Sequence, residues 1–336
     1  MAQMDVFESD AFSALEMTAA INKQDYQPSM LGDMNLFEVK RIRTEKFEIE
    51  ERDGKLALVQ SSPRGAPLEQ AQHERRKVRD FRTVRVAKGD TIMADEIQGI
   101  RAFGTESELM QVQAEVARRQ MALRRDIELT WEHMRLGAVQ GIVTDADGSV
   151  LYNFFDEFGV SQPAEINFAL GTGTTDIQAK CAEVVRAMQK GAKGAWTPQT
   201  QIVGLAGDSF FDNLVTHKET KEAFKYQQSA QLRQNIAYQT FDFGGIHFVN
   251  YRGTDDGSTV AIGEDDCKFF PRNAPGAFEV AFSPAESFDF VNTPGQDFYA
   301  WVVQDEKRNM WVQPEVYSYP MFYPTRPLML QRARRA

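Results

Sequence analysis

The most constraining feature of this chain is one long stretch with helical periodicity, from Thr105 to Gly141. Thr105 and Glu108 match the capping box that begins a helix, and Gly141 is a typical helix end. Apolar residues between them keep to one stripe: Leu109, Val112, Val116, Leu123, Ile127 and Met134. The helix would be about 50 Å long, several times the average globular helix. It predicts a structural spine, a coiled coil, or a helix that crosses a large sheet.

The composition is typical of a globular protein and excludes several classes. The 336 residues predict about two domains, with 42% apolar and 26% charged residues. No run of about 18 apolar residues occurs, and the N-terminus lacks the order of a signal peptide, so we expect no membrane span. Cys181 and Cys267 are too few for a disulfide framework, and we expect both to be buried. The net charge of −10 argues against a dedicated nucleic-acid binder.

The region before the long helix predicts an arm followed by an exposed β-ribbon. Residues 1–41 contain one short helical pattern between positions 7 and 21, and have no core of their own. Residues 42–60 alternate apolar and charged side chains around Asp53-Gly54, the preferred turn pair of a hairpin. A second strand pair is predicted over 74–93. A ribbon with so few apolar residues is marginally stable alone, so we expect it to lean on a neighbour.

The region after the long helix alternates strands and helices. A hairpin is predicted over 141–160, turning at Asp147-Gly148, and a helix begins at Thr175, with Gln178 completing a capping box. The remaining predicted elements are a strand at 202–207, helices at 208–217 and 219–235, a hairpin at 241–253 with a Gly-Gly turn, and strands at 277–282, 298–304 and 310–317.

No group of residues forms a recognisable catalytic or binding motif. Residues 171–175, Gly-Thr-Gly-Thr-Thr, lack the lysine of a Walker loop and the third glycine of a dinucleotide fingerprint, so a turn before a helix is favoured. Residues 145–156 resemble a calcium loop, but the glycine is misplaced and a hairpin turn fits better. The four histidines are scattered. We therefore predict no enzyme, no catalytic residue, no metal site and no cofactor.

Several short motifs become specific when they are taken together and in order. They are SPRGAP at 62–67, GDTI at 89–92, DEIQGIRAFG at 95–104, the R-x-x-x-x-T-x-E pattern within 123–132, the glycines of the following hairpin, FFDNL at 210–214, and Arg-Pro at 326–327. This combination resembles the major capsid protein E family of lambda-like tailed phages, over about residues 4 to 330.

The resemblance implies a fold and a division into domains. The fold class would be α+β, in the form of the Hong Kong 97 phage-type capsid fold. The implied parts are an N-terminal arm at 1–41, an extended β-hairpin loop at 42–100, the spine helix and peripheral domain at 101–164, an axial α/β domain at 165–290, and peripheral return strands with a C-terminal tail at 291–336.

The resemblance also implies a structural function. The chain would be a major capsid protein that assembles with itself as pentamers and hexamers into an icosahedral procapsid, which expands on maturation around double-stranded DNA. Scaffold, portal and decoration proteins are the expected partners, the DNA is held by non-specific proximity, and no membrane is involved. The protein would be found in the virion, after assembly in the host bacterial cytoplasm. Lys46 and Lys55 lie on the ribbon, but we expect no covalent crosslink.

The residues that we expect at contacts between subunits come from the ribbon and the long helix. They are Phe47, Ile49, Leu56, Leu58, Arg64, Arg76, Arg79, Arg124, Arg125 and Trp131. We expect Arg118, Arg119, Arg124 and Arg125 to lie on or beside a face left for neighbours, and deletion of 45–70 to block assembly without unfolding the chain. The alternative is a soluble α/β ligand-binding protein or enzyme whose long helix dimerises. A polar Gln120 within the apolar stripe weakens that coiled-coil interpretation.

Overall fold

The computed structural model describes residues 30–51, 77–98, 108–221, 240–251, 261–308 and 310–336. The helices are α1 Met30–Asp33, α2 Ala94–Gln98, α3 Glu108–Gln140, α4 Phe154–Glu157, α5 Ile177–Gly191 and α6 Asp208–Thr216. The strands are β1 Glu38–Arg41, β2 Lys46–Glu51, β3 Lys77–Arg82, β4 Val86–Gly89, β5 Ile92–Met93, β6 Ile142–Thr144, β7 Val150–Asn153, β8 Ile166–Asn167, β9 Gln201–Ala206, β10 Thr240–Phe243, β11 Ile246–Asn250, β12 Asp266–Arg272, β13 Phe278–Phe282, β14 Tyr299–Gln304, β15 Trp311–Ser318, β16 Pro320–Pro324 and β17 Gln331–Arg334.

The long helix is present as α3, with 33 described residues and a length of about 50 Å. Its end is the predicted one, because Gly141 has φ +84° and a Cβ there would lie 2.5 Å from the Phe155 ring. Its predicted start, Thr105, lies outside the described residues. The apolar stripe is buried at Val116, Leu123, Ile127 and Met134. These predictions are confirmed for the described part of the helix.

Two cores cover α3 on different sides, which makes it a spine within its own chain. One core joins α3 to β13 and β16 and to the sheet of β14, β15 and β4, through residues such as Ile127 and Met134. A second core joins Leu136 and Val139 to β9, β11 and β12. Because its own chain buries the stripe from Val116 to Met134, this described part of α3 offers no apolar seam to a dimeric coiled coil, and that alternative loses its support.

A six-stranded sheet forms the second body of the chain, in the order β10-β11-β9-β12-β17-β8. Strands β9 and β11 are parallel, and β12 runs antiparallel to β9. Helices α5 and α6 cover it, and Ile177, Cys181, Val184 and Met188 are fully buried on one face of α5. The sheet also confirms the predicted hairpin, since β10 and β11 turn at Gly244 and Gly245, both with positive φ.

The strand pairings join segments that the sequence analysis placed in different domains. β1, from the predicted arm, pairs in parallel with β13, from the predicted axial region. β4 and β5, from the predicted loop, pair with β15. β17, from the predicted tail, lies inside the six-stranded sheet. These pairings, between residues far apart in sequence, cross the predicted domain limits, and the division into domains stays a prediction.

Two local predictions are corrected by the structure. The predicted strand pair within 74–93 does not form, because β3 pairs with β2 whereas β4 pairs with β15. The N-cap of α5 is Asp176, whose carboxylate accepts from the backbone N–H of Ala179, whereas the Thr175 hydroxyl donates to the carbonyl of Ala169. Both Thr and Asp are favoured as N-cap residues. Here the Thr175 hydroxyl is bonded to Ala169, and the Asp176 carboxylate caps the helix.

The remaining local predictions divide into confirmed elements and untested ones. The hairpin of β6 and β7 turns at Gly148, with φ +83°. The strands β9, β13, β14 and β15 and the helix α6 lie where they are predicted. The short arm helix, the turn at Asp53-Gly54 and nearly all of the helix predicted over 219–235 lie outside the described residues.

Candidate assembly surfaces

An acid–base cluster fixes the described start of α3 to the segment before it. The Arg119 guanidinium donates to Asp90 at 2.6 Å, to Glu96 at 2.7 Å and to Glu115 at 2.9 Å. Arg118 donates two further hydrogen bonds to Glu115, and chiefly for that reason the pKa of Glu115 falls to about 2. The Arg118 side chain is exposed, whereas the Arg119 guanidinium forms its ion pairs with carboxylates of its own chain. The cluster holds residues 90–96 against α3.

Arg124 and Glu128 form a buried ion pair one helical turn apart. Arg124 Nε donates to Glu128 Oε1 at 2.8 Å, and the two side chains are 8% and 4% exposed. The guanidinium also lies 4.7 Å from the centre of the Phe298 ring. Arg124 is therefore buried within its own chain, whereas the adjacent Arg125 is exposed. The expectation that they lie on or beside a face left for neighbours stays a prediction.

Glu132 joins three parts of the fold inside the chain. Its Oε1 accepts from the backbone N–H of Leu31, in α1, at 2.8 Å, and from the Tyr251 hydroxyl, beyond β11, at 3.4 Å. Its Oε2 lies 3.4 Å from Arg135 Nη1. Because Glu132 is 6% exposed, these are buried polar contacts. They tie the end of the arm and the six-stranded sheet to the spine.

Trp131 is a central packing residue of the spine. Its ring is 5% exposed and stacks on Phe298, with ring centres 4.5 Å apart and planes 15° apart. Phe282 and Phe322 complete its surroundings at 5.3 Å and 6.0 Å. Phe282 lies on β13 and Phe322 on β16, whereas Phe298 directly precedes β14. The side chain offers little surface to a neighbour, so the predicted subunit contact is not what buries it here.

The described root of the ribbon is anchored in the same core. Phe47 on β2 stacks on Phe81 on β3, with ring centres 5.9 Å apart, and Ile49 is also buried. Arg79, on β3, donates to the carbonyl of Phe158, which directly follows α4, at 2.9 Å. Leu56, Leu58, Arg64 and Arg76 lie outside the described residues, as does Lys55. Contact of the ribbon residues with a neighbour stays a prediction.

One corner of the surface exposes an aromatic side chain that sequence reasoning missed. The Phe288 corner, residues 285–291, contains a 3-10 turn over Phe288–Phe290. Phe288 is 98% exposed and Val291 is 57% exposed, and no other aromatic of the described residues is classed as exposed. Phe290 is buried two positions later, against Tyr299 at 4.8 Å. No periodicity in this short segment distinguishes the exposed Phe from the buried one.

A groove of about 590 Å³ lies beside the ribbon root. Its apolar wall consists of Ile49, Phe158, Val160, Pro275, Pro327 and Leu328, and its charged residues are Lys40, Lys193, Glu279 and Arg326. The carboxylate of Glu279 is held by Lys40 and accepts from the Tyr323 hydroxyl at 2.6 Å. Three cations against one carboxylate give the groove a net positive charge.

The motifs that resemble ligand sites have structural roles in the described chain. Residues 171–175 form turns that lead into α5. The side-chain hydrogen bond from Ser149 lowers the pKa of Asp147, and the backbone N–H of Ser149, which donates to Asp147 at 2.8 Å, lowers it further. Both predictions of a turn are confirmed. Among the described residues, no three His, Cys, Asp or Glu side chains are placed to hold a metal ion.

Both cysteines are packing residues, as predicted. Cys181 and Cys267 are fully buried, and burial raises the pKa of the Cys181 thiol to about 12 and that of Cys267 well above its ordinary value. No helix in the described part of the chain is both long enough and apolar enough to cross a membrane.

The architecture matches the coat proteins of phages. A prophage protein of E. coli CFT073 that has been assigned as a capsid protein superposes with a TM-score of 0.55 at 14% identity, over 96% of this chain and 99% of the other. At that identity the likeness shows the fold alone. The fold is the Hong Kong 97 phage-type capsid fold, as the sequence predicts.

The family follows from the sequence as a whole. The major capsid protein of Salmonella phage Felix O1 is 25% identical, over 97% of each chain, and that of Pseudomonas phage KPP10 is 29% identical, over 82% of this chain and 83% of the other. The family model of phage major capsid protein E matches residues 13–335. This chain belongs to the phage major capsid protein E family.

Proposed function

We propose that this chain is the repeating subunit of a tailed-phage head. It assembles as pentamers and hexamers into an icosahedral procapsid, and the shell then expands around double-stranded DNA. The observation that carries the proposal is the match to the capsid family over residues 13–335, nearly the whole chain. A shell-forming role also accounts for a fold that exposes apolar side chains such as Phe288.

The rigidity of the subunit supports this role. Helix α3 is packed on two cores, and Glu132 ties the arm and the six-stranded sheet to it. A shell subunit must pass force between neighbours without unfolding, and a close-packed interior transmits such strain. A heterologous interface joins different surfaces of the two partners, and it closes into a ring when the rotation between subunits allows. Pentamers and hexamers are rings of this kind.

The charge of the chain suits a container for DNA. A net charge of −10 leaves few cations for tight phosphate contacts, which would hold the genome fast and hinder its release. We propose that the DNA is enclosed by proximity, and that scaffold, portal and decoration proteins complete the head. Assembly takes place in the host bacterial cytoplasm, the product is part of the virion, and no step requires catalysis or a covalent crosslink.

Electron microscopy of the purified chain tests the proposal. We expect negatively stained preparations to show shells or rings of pentamers and hexamers, and light scattering to show particles of megadalton mass. A stable dimer as the only species would contradict it. Boiling mature particles in SDS should release single subunits, and a ladder of linked subunits would show a crosslink.

The structure sharpens the test of the ribbon. Deleting 45–70 removes Phe47 and Ile49, which are buried in the core, so that variant should lose folding as well as assembly. Replacing 53–75 with a short glycine-rich turn retains the paired root of β2 and β3. We expect this variant to keep the thermal unfolding midpoint of the unchanged chain and to form no normal shells. Normal shells would remove the ribbon from the assembly contacts.

Two adjacent arginines on α3 give a matched test of the same point. Arg125→Glu changes an exposed side chain, and we expect it to impair assembly with little effect on folding. Arg124→Glu places a second carboxylate beside buried Glu128, and we expect a large loss of stability. Circular dichroism measures the folding, and sedimentation of particles measures the assembly. Equal effects of the two variants on folding would contradict this assignment.

A further inference from the structure

The Phe288 corner and the groove lie at opposite ends of one strand. β13 runs from Phe278, which pairs with Pro324 beside the groove, to Phe282, which pairs with Pro320. Beyond that second end, Ser283 donates its backbone N–H to the carbonyl of Tyr319 at 3.2 Å, and the chain continues into the corner. The two surfaces are therefore separated on a single subunit and cannot meet each other.

The corner holds Phe288 on a fixed support. The Ser287 hydroxyl accepts from the backbone N–H of Asp289 at 3.3 Å, and the Thr293 hydroxyl donates to the Phe290 carbonyl at 2.7 Å. The buried Phe290 ring packs edge-on against two aromatic rings of β14, at 4.8 Å and 5.9 Å. A 98% exposed aromatic ring on such a support needs little ordering when it binds.

The corner and the groove are complementary in charge and in shape. Residues 285–291 carry two carboxylates, Glu286 and Asp289, and no cation. Glu286 is paired with Arg85 at 3.3 Å, so the exposed Asp289 is the carboxylate that the corner offers to a partner. The groove carries three cations and one carboxylate around an apolar wall. Its volume of about 590 Å³ lies in the range of pockets that enclose a small ligand, which is ample for one aromatic side chain and its neighbours.

We propose that Phe288 of one subunit inserts into the groove of a second copy of this chain, as the anchor of a contact in the shell. This inference rests on the proposed function, which supplies the neighbouring copies. Because the two surfaces differ, the contact is of the heterologous kind, which passes from subunit to subunit and closes into rings. Aromatic anchors in pockets carry much of the binding energy of such interfaces.

Cysteine linkage tests the geometry directly. Both native thiols are buried, so the double variant Phe288→Cys with Pro275→Cys offers one new thiol at the corner and one exposed at the groove. The variant is assembled at a protein concentration high enough to offset the loss of the Phe288 ring. Mild oxidation of these particles should give a ladder of linked subunits in non-reducing SDS gels, and reduction should return single subunits. Each single variant should give only unlinked single subunits on the same gels. Linked dimers of Phe288→Cys alone would show that corner meets corner, and would overturn the proposal.

Assembly measurements supply the energetic test. We expect Phe288→Ser to raise the protein concentration needed for assembly at least about tenfold, as loss of an interface anchor does. Val150→Ser, at a side chain that is 59% exposed on another hairpin, is the matched control and should have no such effect. Asp289→Lys and Lys193→Glu should each weaken assembly, and their combination should restore it in part.

The outcomes separate this contact from the proposed function. Normal shells with no linkage, or unchanged assembly of Phe288→Ser, would overturn the contact and leave the shell-forming role intact. Failure of the unchanged chain to form shells would overturn the proposed function, and this contact with it.

Discussion

Replacing Trp131 with alanine should unfold the subunit rather than disturb a contact between subunits. A buried Trp side chain removes about 200 Å² from water, which is worth about 5 kcal/mol at about 25 cal/mol per Å². Alanine retains a small part of that burial, and the stacked pair with Phe298 at 4.5 Å is lost. We therefore expect the free energy of unfolding to fall by about 3–5 kcal/mol, the usual range for Trp→Ala in a core.

The assay is thermal and urea unfolding of the unassembled subunit, followed by circular dichroism so that the lost indole does not bias the signal. Trp131→Phe keeps an aromatic ring against Phe298 and should recover much of the loss. Leu129→Ala, at a side chain that is 40% exposed on the same helix, should stay within about 0.5 kcal/mol of the unchanged chain. A Trp131→Ala subunit that unfolds normally but fails to assemble would refute this reasoning, and would return Trp131 to the interface.

Three further predictions follow from single sites. Gly141→Ala should lower the free energy of unfolding, measured in urea, by about 2–5 kcal/mol, because the position combines a positive φ with a clash against the Phe155 ring. Gly148→Ala should cost only about 1–2 kcal/mol for the positive φ, because nothing lies within 4 Å of its Cβ position. The pKa of Glu115 is about 2 in the folded chain, so its contribution to stability is fully present above the unfolded pKa near 4.5 and is lost as the pH falls toward 2. Over that window the urea midpoint of Glu115→Gln should decline less than that of the unchanged chain, and an equal decline would contradict the assignment. Neither Cys181 nor Cys267 should react with a thiol reagent at pH 8 until the chain is unfolded, and labelling of the native subunit would show that a thiol is accessible.

The elements that the sequence predicts well are those whose causes are close together in the chain. The stripe of α3, its end at Gly141 and the buried face of α5 all follow from spacings of three and four residues. The Gly148 and Gly244-Gly245 hairpins follow from residues that accept positive φ without strain. In each case the structure depends on interactions between residues that lie within one or two turns of each other in the chain.

The candidate contact residues show where this local reasoning fails. Arg124 and Arg125 are adjacent and chemically identical, but one is paired in the interior and the other is exposed. Phe288 and Phe290 are two positions apart, with one exposed and one buried. No periodicity distinguishes the members of either pair, because burial depends on which distant strand packs over each position.

By itself, the amino-acid sequence determined the spine helix, the hairpins at Gly148 and Gly244-Gly245, and the capsid family of this protein. Only the tertiary structure decided that β1 pairs with β13, that β17 enters the six-stranded sheet, and that two cores pack against different sides of the spine. Helices and turns are fixed by hydrogen bonds between near neighbours, whereas these pairings close loops of tens to hundreds of residues and are chosen by the packing of the whole chain.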